Sequence, residues 1–255
     1  MRKVLAIALN TFRETVWDKI LYTLLVFAFA MIGSAAVLIR MSVRAEARIF
    51  QDLCMAAISI IGVLMATFVG ITLVYKEVDR RTIFTIISKP IQRYQFVLGK
   101  YLGLLATILV NVAAMAVGLL LLSRALASEW SWIVLPAIWL TYVELALVTA
   151  LATLFSAFTT PVLSATFTLS LFLIGRLSGD LVAFLAKAPS AAVRAIALGL
   201  YYVLPNLRTF DVKGQVVLGQ LPEPRWVMGA TAYGMLYILF VLAATCLIFQ
   251  RRDFK

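Results

Sequence analysis

Histidine is absent from this 255-residue chain, and cysteine occurs twice. Without histidine there is no imidazole for a zinc site and no Ser-His or Cys-His nucleophile–base pair. Cys54 and Cys246 lie apart, lack C-x-x-C spacing and fall at or inside apolar stretches, which excludes a disulfide framework. The motif G-x-x-x-x-G-K-[ST] is missing too. The nearest fragment, Gly99-Lys100, lacks the upstream glycine and the Ser/Thr, so the chain carries no phosphate-cradling loop of its own. Paired buried carboxylates are not evident, and self-contained catalysis is not expected. No small-residue cleavage site follows the basic N-terminus, and the first apolar run reads as a retained span.

Charge is also scarce, at 14% of residues, whereas 63% are hydrophobic and the mean hydropathy is +1.00. Soluble domains are roughly 45–50% apolar. So few charges do not cover the surface of a soluble protein with such a core. The apolar residues come in runs of about 20, the length that crosses a hydrocarbon layer as a helix. Net charge is +11. In a soluble protein this would suggest nucleic acid. Here the basic residues flank apolar spans, which points to membrane topology and anionic lipid, with no nucleic-acid partner.

The expected fold is an all-α integral membrane protein, a single domain over 1–255 with six transmembrane helices. Residues 1–19 form an interfacial amphipathic helix. Leu5, Leu9, Phe12 and Val16 recur at helical spacing with Ala8 alongside, and Lys3, Asn10, Arg13, Glu14 and Asp18 fall on the opposite arc. The spans are about 20–39, 53–75, 101–122, 132–155, 161–175 and 228–249. The second carries Gly62, Ala66 and Gly70 at four-residue spacing, a small-residue stripe suited to close helix packing. Trp130 and Trp132 anchor entry into the fourth. Pro161 opens the fifth, which is short before Arg176 and Asp180 and is read as continuing in a partly exposed helix to Ala186; Arg176 and Asp180, four apart, are placed to pair along one helix face. Residues 176–228 form the one long connection, read as a helix or re-entrant hairpin followed by an ordered loop.

With the N-terminus in the cytoplasm, that side holds 13 Lys and Arg and the other holds 10, or 4 without the long connection. The bias places both termini inside and the connection 176–228 outside the cytoplasm.

Eight charged residues fall in the loop 76–100, KEVDRRTIFTIISKPIQRYQFVLGK. Glu77 and Asp79 open this loop, Thr82 to Ile87 offer an apolar face, and Lys89-Pro90 ends the segment because a residue before proline avoids helical backbone. A short helix with an apolar face and charged flanks suits a groove on a soluble partner. The alternative is a loop that only satisfies the positive-inside rule.

The pattern Glu77, Thr82-Ile83, Ser88-Lys89-Pro90-Ile91, Arg93 and Gly99-Lys100 resembles the loop after the second span in permease subunits of ABC-2 type transporters. The stretch Ala8 to Glu14, through Asp18 to Tyr22, resembles that family's entry helix. The likeness covers nearly the whole chain. It departs at Arg81, where the family usually has glycine. The resemblance implies a non-catalytic inner-membrane subunit that pairs with a second permease, often a copy of itself; spans one, two and five are the interface expected here. Two separate ATPase subunits bind ATP and Mg²⁺, and this chain binds no cofactor or metal. Docking falls by position to Glu77, Arg80, Arg81, Thr82, Ile83, Phe84, Ser88, Lys89 and Pro90. The implied function is ATP-driven transport, read as export.

Glu144 is the one carboxylate well inside a span, with Thr141 a turn away. A charge there is costly, so it faces a cavity, a translocation path or a helix-packing partner. Asn111 is the polar residue of span three and suits an interhelical hydrogen bond. Two other readings remain open. One is an ABC membrane subunit that transmits force to an extracytoplasmic partner docked on 176–228, as in metalloenzyme maturation. The other is an ion-coupled secondary transporter using Glu144, although no internal repeat supports it.

Overall fold

A chain crossing hydrocarbon must satisfy its backbone hydrogen bonds within each segment, which favours long helices over irregular strands. The computed structural model describes residues 2–39, 46–79, 92–127, 132–185, 199 and 204–251. Its described regular structure is entirely helical: α1 Arg2–Val16, α2 Lys19–Ile39, α3 Glu46–Asp79, α4 Arg93–Ala127, α5 Leu135–Ser156, α6 Pro161–Leu185, α7 Lys213–Val217 and α8 Pro224–Arg251, with 3-10 turns at Trp132–Val134 and Leu207–Phe210. Within these helices, Ile49–Ile71, Tyr94–Ala125, Trp132–Ser156, Pro161–Gly179 and Pro224–Phe249 are long and apolar enough to cross a membrane. Counting the bent pair Arg2–Val16 plus Lys19–Ser34 as one broken span gives six. The apolar stretch 191–204 falls almost wholly outside the described residues, as do the basic loop from 80 to 91 and Trp130.

Local chemistry sets the boundaries. α1 and α2 meet at a 60° bend. Asp18 sits at that bend, and its Oδ1 accepts the Ile20 backbone N–H at 3.0 Å, which caps the start of α2. α6 and α8 open on Pro161 and Pro224, and α5 carries Pro136 in its first turn, where the missing N–H costs nothing. α3 and α4 have 34 and 35 residues, so each is about 50 Å long, well beyond a hydrocarbon layer of about 30 Å. Their adjoining ends, 72–79 and 93–100, extend the two helices toward the basic loop.

α3 and α5 form the centre of the bundle and are the most buried spans. The stripe Gly62, Ala66, Gly70 lies against α5, with Gly62 over Leu145 and Gly70 over Thr149 and Ala152. α2 and α4 flank α3, and α6 and α8 flank α5, with much of their surface left to lipid.

α1 docks on the first half of α4. Its protein-facing side is the small residues Ala8, Thr11 and Thr15, while Leu5 and Leu9 of the apolar arc point outward. Gly99 and Gly103 explain the choice. A Cβ on Gly103 would stand 2.6 Å from the Ala8 carbonyl oxygen and 2.6 Å from Thr11 Cβ. Backbone cannot swing aside as a side-chain tip can. Gly103→Ala is therefore expected to lift α1 from α4, costing about 1–3 kcal/mol by overpacking. Gly33→Ala, with nothing within 4 Å of the added carbon, is the control. Thermal unfolding in detergent and proteolysis within α1 measure the difference; equal behaviour of the two variants would refute the close packing.

Candidate functional site

Segment 204–217 of the long connection is inserted into one end of the bundle. Leu207, Phe210, Val212 and Val216 are buried and belong to the main apolar core. Close approach admits them. A Cβ on Gly175 of α6 would lie 2.6 Å from the Pro205 carbonyl oxygen, and Gly234 of α8 faces Phe210. Asn206 is held from two sides. Its backbone N–H donates to the Tyr233 hydroxyl of α8 at 2.9 Å, and the Ser178 hydroxyl of α6 donates to its Oδ1 at 3.1 Å.

Beneath this segment lies a charge network joining three spans. Glu144 of α5 is 1% exposed. Arg176 of α6 donates from Nη1 to Glu144 Oε1 and from Nη2 to Asp211 Oδ2, both at 2.7 Å. The backbone N–H of Lys213 donates to Asp211 Oδ1 at 3.4 Å. The buried Lys213 ammonium donates to the Ser59 hydroxyl of α3. Burial pulls the Lys213 ammonium below the ordinary lysine range, and the nearby Glu144 carboxylate opposes that fall. Asp52 of α3 also acts on the Lys213 ammonium, and among the described residues the network clamps the connection onto α3, α5 and α6.

The positions singled out from sequence behave differently from one another. Glu144 is deeply buried, and Arg176 is its partner. Thr141 does not join it: its hydroxyl donates to Ala137 O in the same helix at 2.8 Å. Asn111 likewise donates to Thr107 O within α4 at 2.8 Å, rather than across helices. Arg176 turns to Glu144 and Asp211; the Asp180 side chain, expected as its neighbour, lies outside the described residues. Glu77 falls in the last turns of α3, with its side chain outside the described residues, and Arg80, Arg81, Thr82, Ile83, Phe84, Ser88, Lys89 and Pro90 lie outside them altogether. At the α1 end, Lys100 Nζ stands 3.9 Å from Glu14 Oε2 and lies over the Phe96 ring.

Ser59, Asp211 and Lys213 were not anticipated. A signal was present: a carboxylate inside a span requires a cation, and residues 210–216 alternate charge with Phe210, Val212 and Val216 in a way that suits burial. Among the described residues, no group of three or more Cys, Asp and Glu side chains is placed to hold a metal.

Long apolar helices packed around α3 and α5, with a clamped connection before the last one, define a multi-pass helical membrane protein. The family model described as ABC-2 family transporter protein matches residues 5–254, and the chain belongs to that family. It is a membrane permease subunit of the ABC transporter class, a family that is typically non-catalytic and works with an ABC ATPase subunit. Comparison with curated proteins finds no match.

Proposed function

We propose that this chain is one half of a permease dimer that couples ATP hydrolysis by two separate ATPase subunits to export across the inner membrane. The carrying observation is the family match over 5–254, joined to the Glu77, Thr82-Ile83, Ser88-Lys89-Pro90 pattern between the two longest helices. In this reading residues 76–100 are the cytoplasmic coupling loop, both termini are cytoplasmic, and 176–228 lies on the far side. α1 lies in the membrane interface with Leu5 and Leu9 toward lipid. ATP and Mg²⁺ belong to the partner chains. The second permease is a copy of this chain, meeting it through spans one, two and five.

The mechanism is leverage. ATP binding closes the ATPase pair and moves the docked segment around 80–90. α3 is continuous from that loop to Ser59, about 30 Å along the helix. Motion of α3 therefore reaches the Lys213 end of the clamp, and through Arg176 it reaches α5 and α6. The pairing of Glu144 with Arg176 favours a gate-holding role for this carboxylate over an ion-coupled cycle.

Position 88 supplies the test. Ser88→Cys carrying a benzophenone maleimide is expected to cross-link to an ATP-binding chain, and an impermeant maleimide should reach the thiol only from the cytoplasmic face. Labelling from outside, or no cross-link to an ATPase, would reject the reading.

A further inference from the structure

We propose that a groove between α4, α5 and α8, with Val4 of α1 in its lining, is a retained binding site for one acyl chain of a membrane phospholipid. Its volume is about 450 Å³, within the range of small-molecule sites. Tyr101 and Leu105 form the α4 wall, Trp139 and Tyr142 the α5 wall, and Ile238 and Leu239 the α8 wall.

Chemistry selects hydrocarbon. Three of these side chains carry a polar atom, and each is already engaged within the protein. The Tyr101 hydroxyl donates to Ala146 O at 3.0 Å, the Tyr142 hydroxyl to Leu105 O at 3.5 Å, and Trp139 Nε1 to Thr231 Oγ1 at 3.1 Å. The groove thus offers an occupant carbon and aromatic faces, and a polar ligand would bury its own groups without partners. All three walls are helices of membrane-crossing length, so acyl chains are the medium against them. The lip is strongly apolar, with Leu239 63% exposed.

Size argues against a helix of a second copy. A cylinder of about 10 Å diameter fills roughly 420 Å³ per turn, so the groove admits about one turn. That is too little for a helix–helix interface. A flexible chain fits the same space lengthwise. Burying it displaces no water and leaves no donor unmet, so retention comes from close packing against the aromatic rings. Val4 in the lining puts α1 in contact with the occupant.

The experiment uses the full-length protein in liposomes containing a trace of phosphatidylglycerol with a diazirine on one acyl chain, diluted in unlabelled lipid. After irradiation, peptide mapping is expected to find labelling at Leu105, Ile238 and Leu239 about tenfold above that at Phe240 and Leu247, which lie outside the groove and are as exposed as Leu239 and more exposed than Leu105 and Ile238. Labelling should saturate as probe increases. Leu239→Trp, which fills the groove from an exposed position, should return labelling at Leu105 to the level of Phe240. If that variant misfolds, Met235→Phe, also exposed at the groove, makes the same test. Even, unsaturated labelling of all exposed apolar residues would overturn the proposal. So would cross-linking of groove residues to a second copy of the chain with lipid labelling absent. Neither outcome depends on ATPase docking, so failure here leaves the transport reading standing.

Discussion

Arg176→Met is expected to destabilise the membrane bundle by about 3–5 kcal/mol, the usual cost of removing one partner from a buried ion pair. The substitution keeps most of the aliphatic volume and removes only the guanidinium. Glu144, 1% exposed, then keeps a carboxylate in the bundle without its 2.7 Å donor. The reverse change is milder. In Glu144→Gln, Arg176 retains Asp211 at 2.7 Å and stays partly open to solvent, with 26% of its side chain exposed. The double variant Arg176→Met/Glu144→Gln removes the stranded charge and should recover most of the loss. Thermal unfolding in detergent of wild type, both single variants and the double gives the cycle. Additive effects, or an Arg176→Met midpoint equal to wild type, would show that the pair does not hold α5 to α6. The same cycle measured on transport separates gate from scaffold: the double variant should regain stability yet leak or run uncoupled.

Phe84→Asp and Thr82→Pro are expected to abolish co-purification of the ATPase while leaving the bundle's stability within about 0.5 kcal/mol of wild type. The apolar face of residues 82–87 is the part of the coupling loop suited to a groove, and a carboxylate placed in that groove is buried without a partner. Proline at 82 removes the Thr82 hydroxyl and backbone N–H from the docking face expected from the sequence. Normal recovery of the ATPase with both variants would move the docking surface elsewhere. Unfolding of the membrane part by either would mean that this segment packs on the bundle instead of projecting from it.

The spans were legible in the sequence because length and hydropathy suffice for a helix in lipid. The fifth is apolar only as far as Gly175, but α6 runs on from Pro161 to Leu185, in line with the expected continuation to Ala186, and Arg176 within it pairs with Glu144 and Asp211. Periodicity placed Leu5, Leu9, Phe12 and Val16 on one face of α1. It did not say that the protein would take the small-residue side, which depends on Gly99 and Gly103, some 90 residues away. Insertion of Leu207, Phe210, Val212 and Val216 was hidden for a related reason. A 3-10 turn and a five-residue helix are too short to show a period, and their burial rests on room left by Gly175 and Gly234. Polarity alone does not say where Asn111 and Thr141 bond: a hydroxyl or amide one turn from a backbone carbonyl can bond within its own helix, and both do. The docking segment stands on its resemblance and on the two long helices that lead to it.

The central claim is that this chain is a passive transmembrane part driven by separate ATPases. Mild solubilisation followed by mass measurement of the intact complex tests it most directly. The account predicts two copies of this 28.2 kDa chain with two copies of a nucleotide-binding chain. A purified complex of this chain alone that moves its substrate without nucleotide would contradict it.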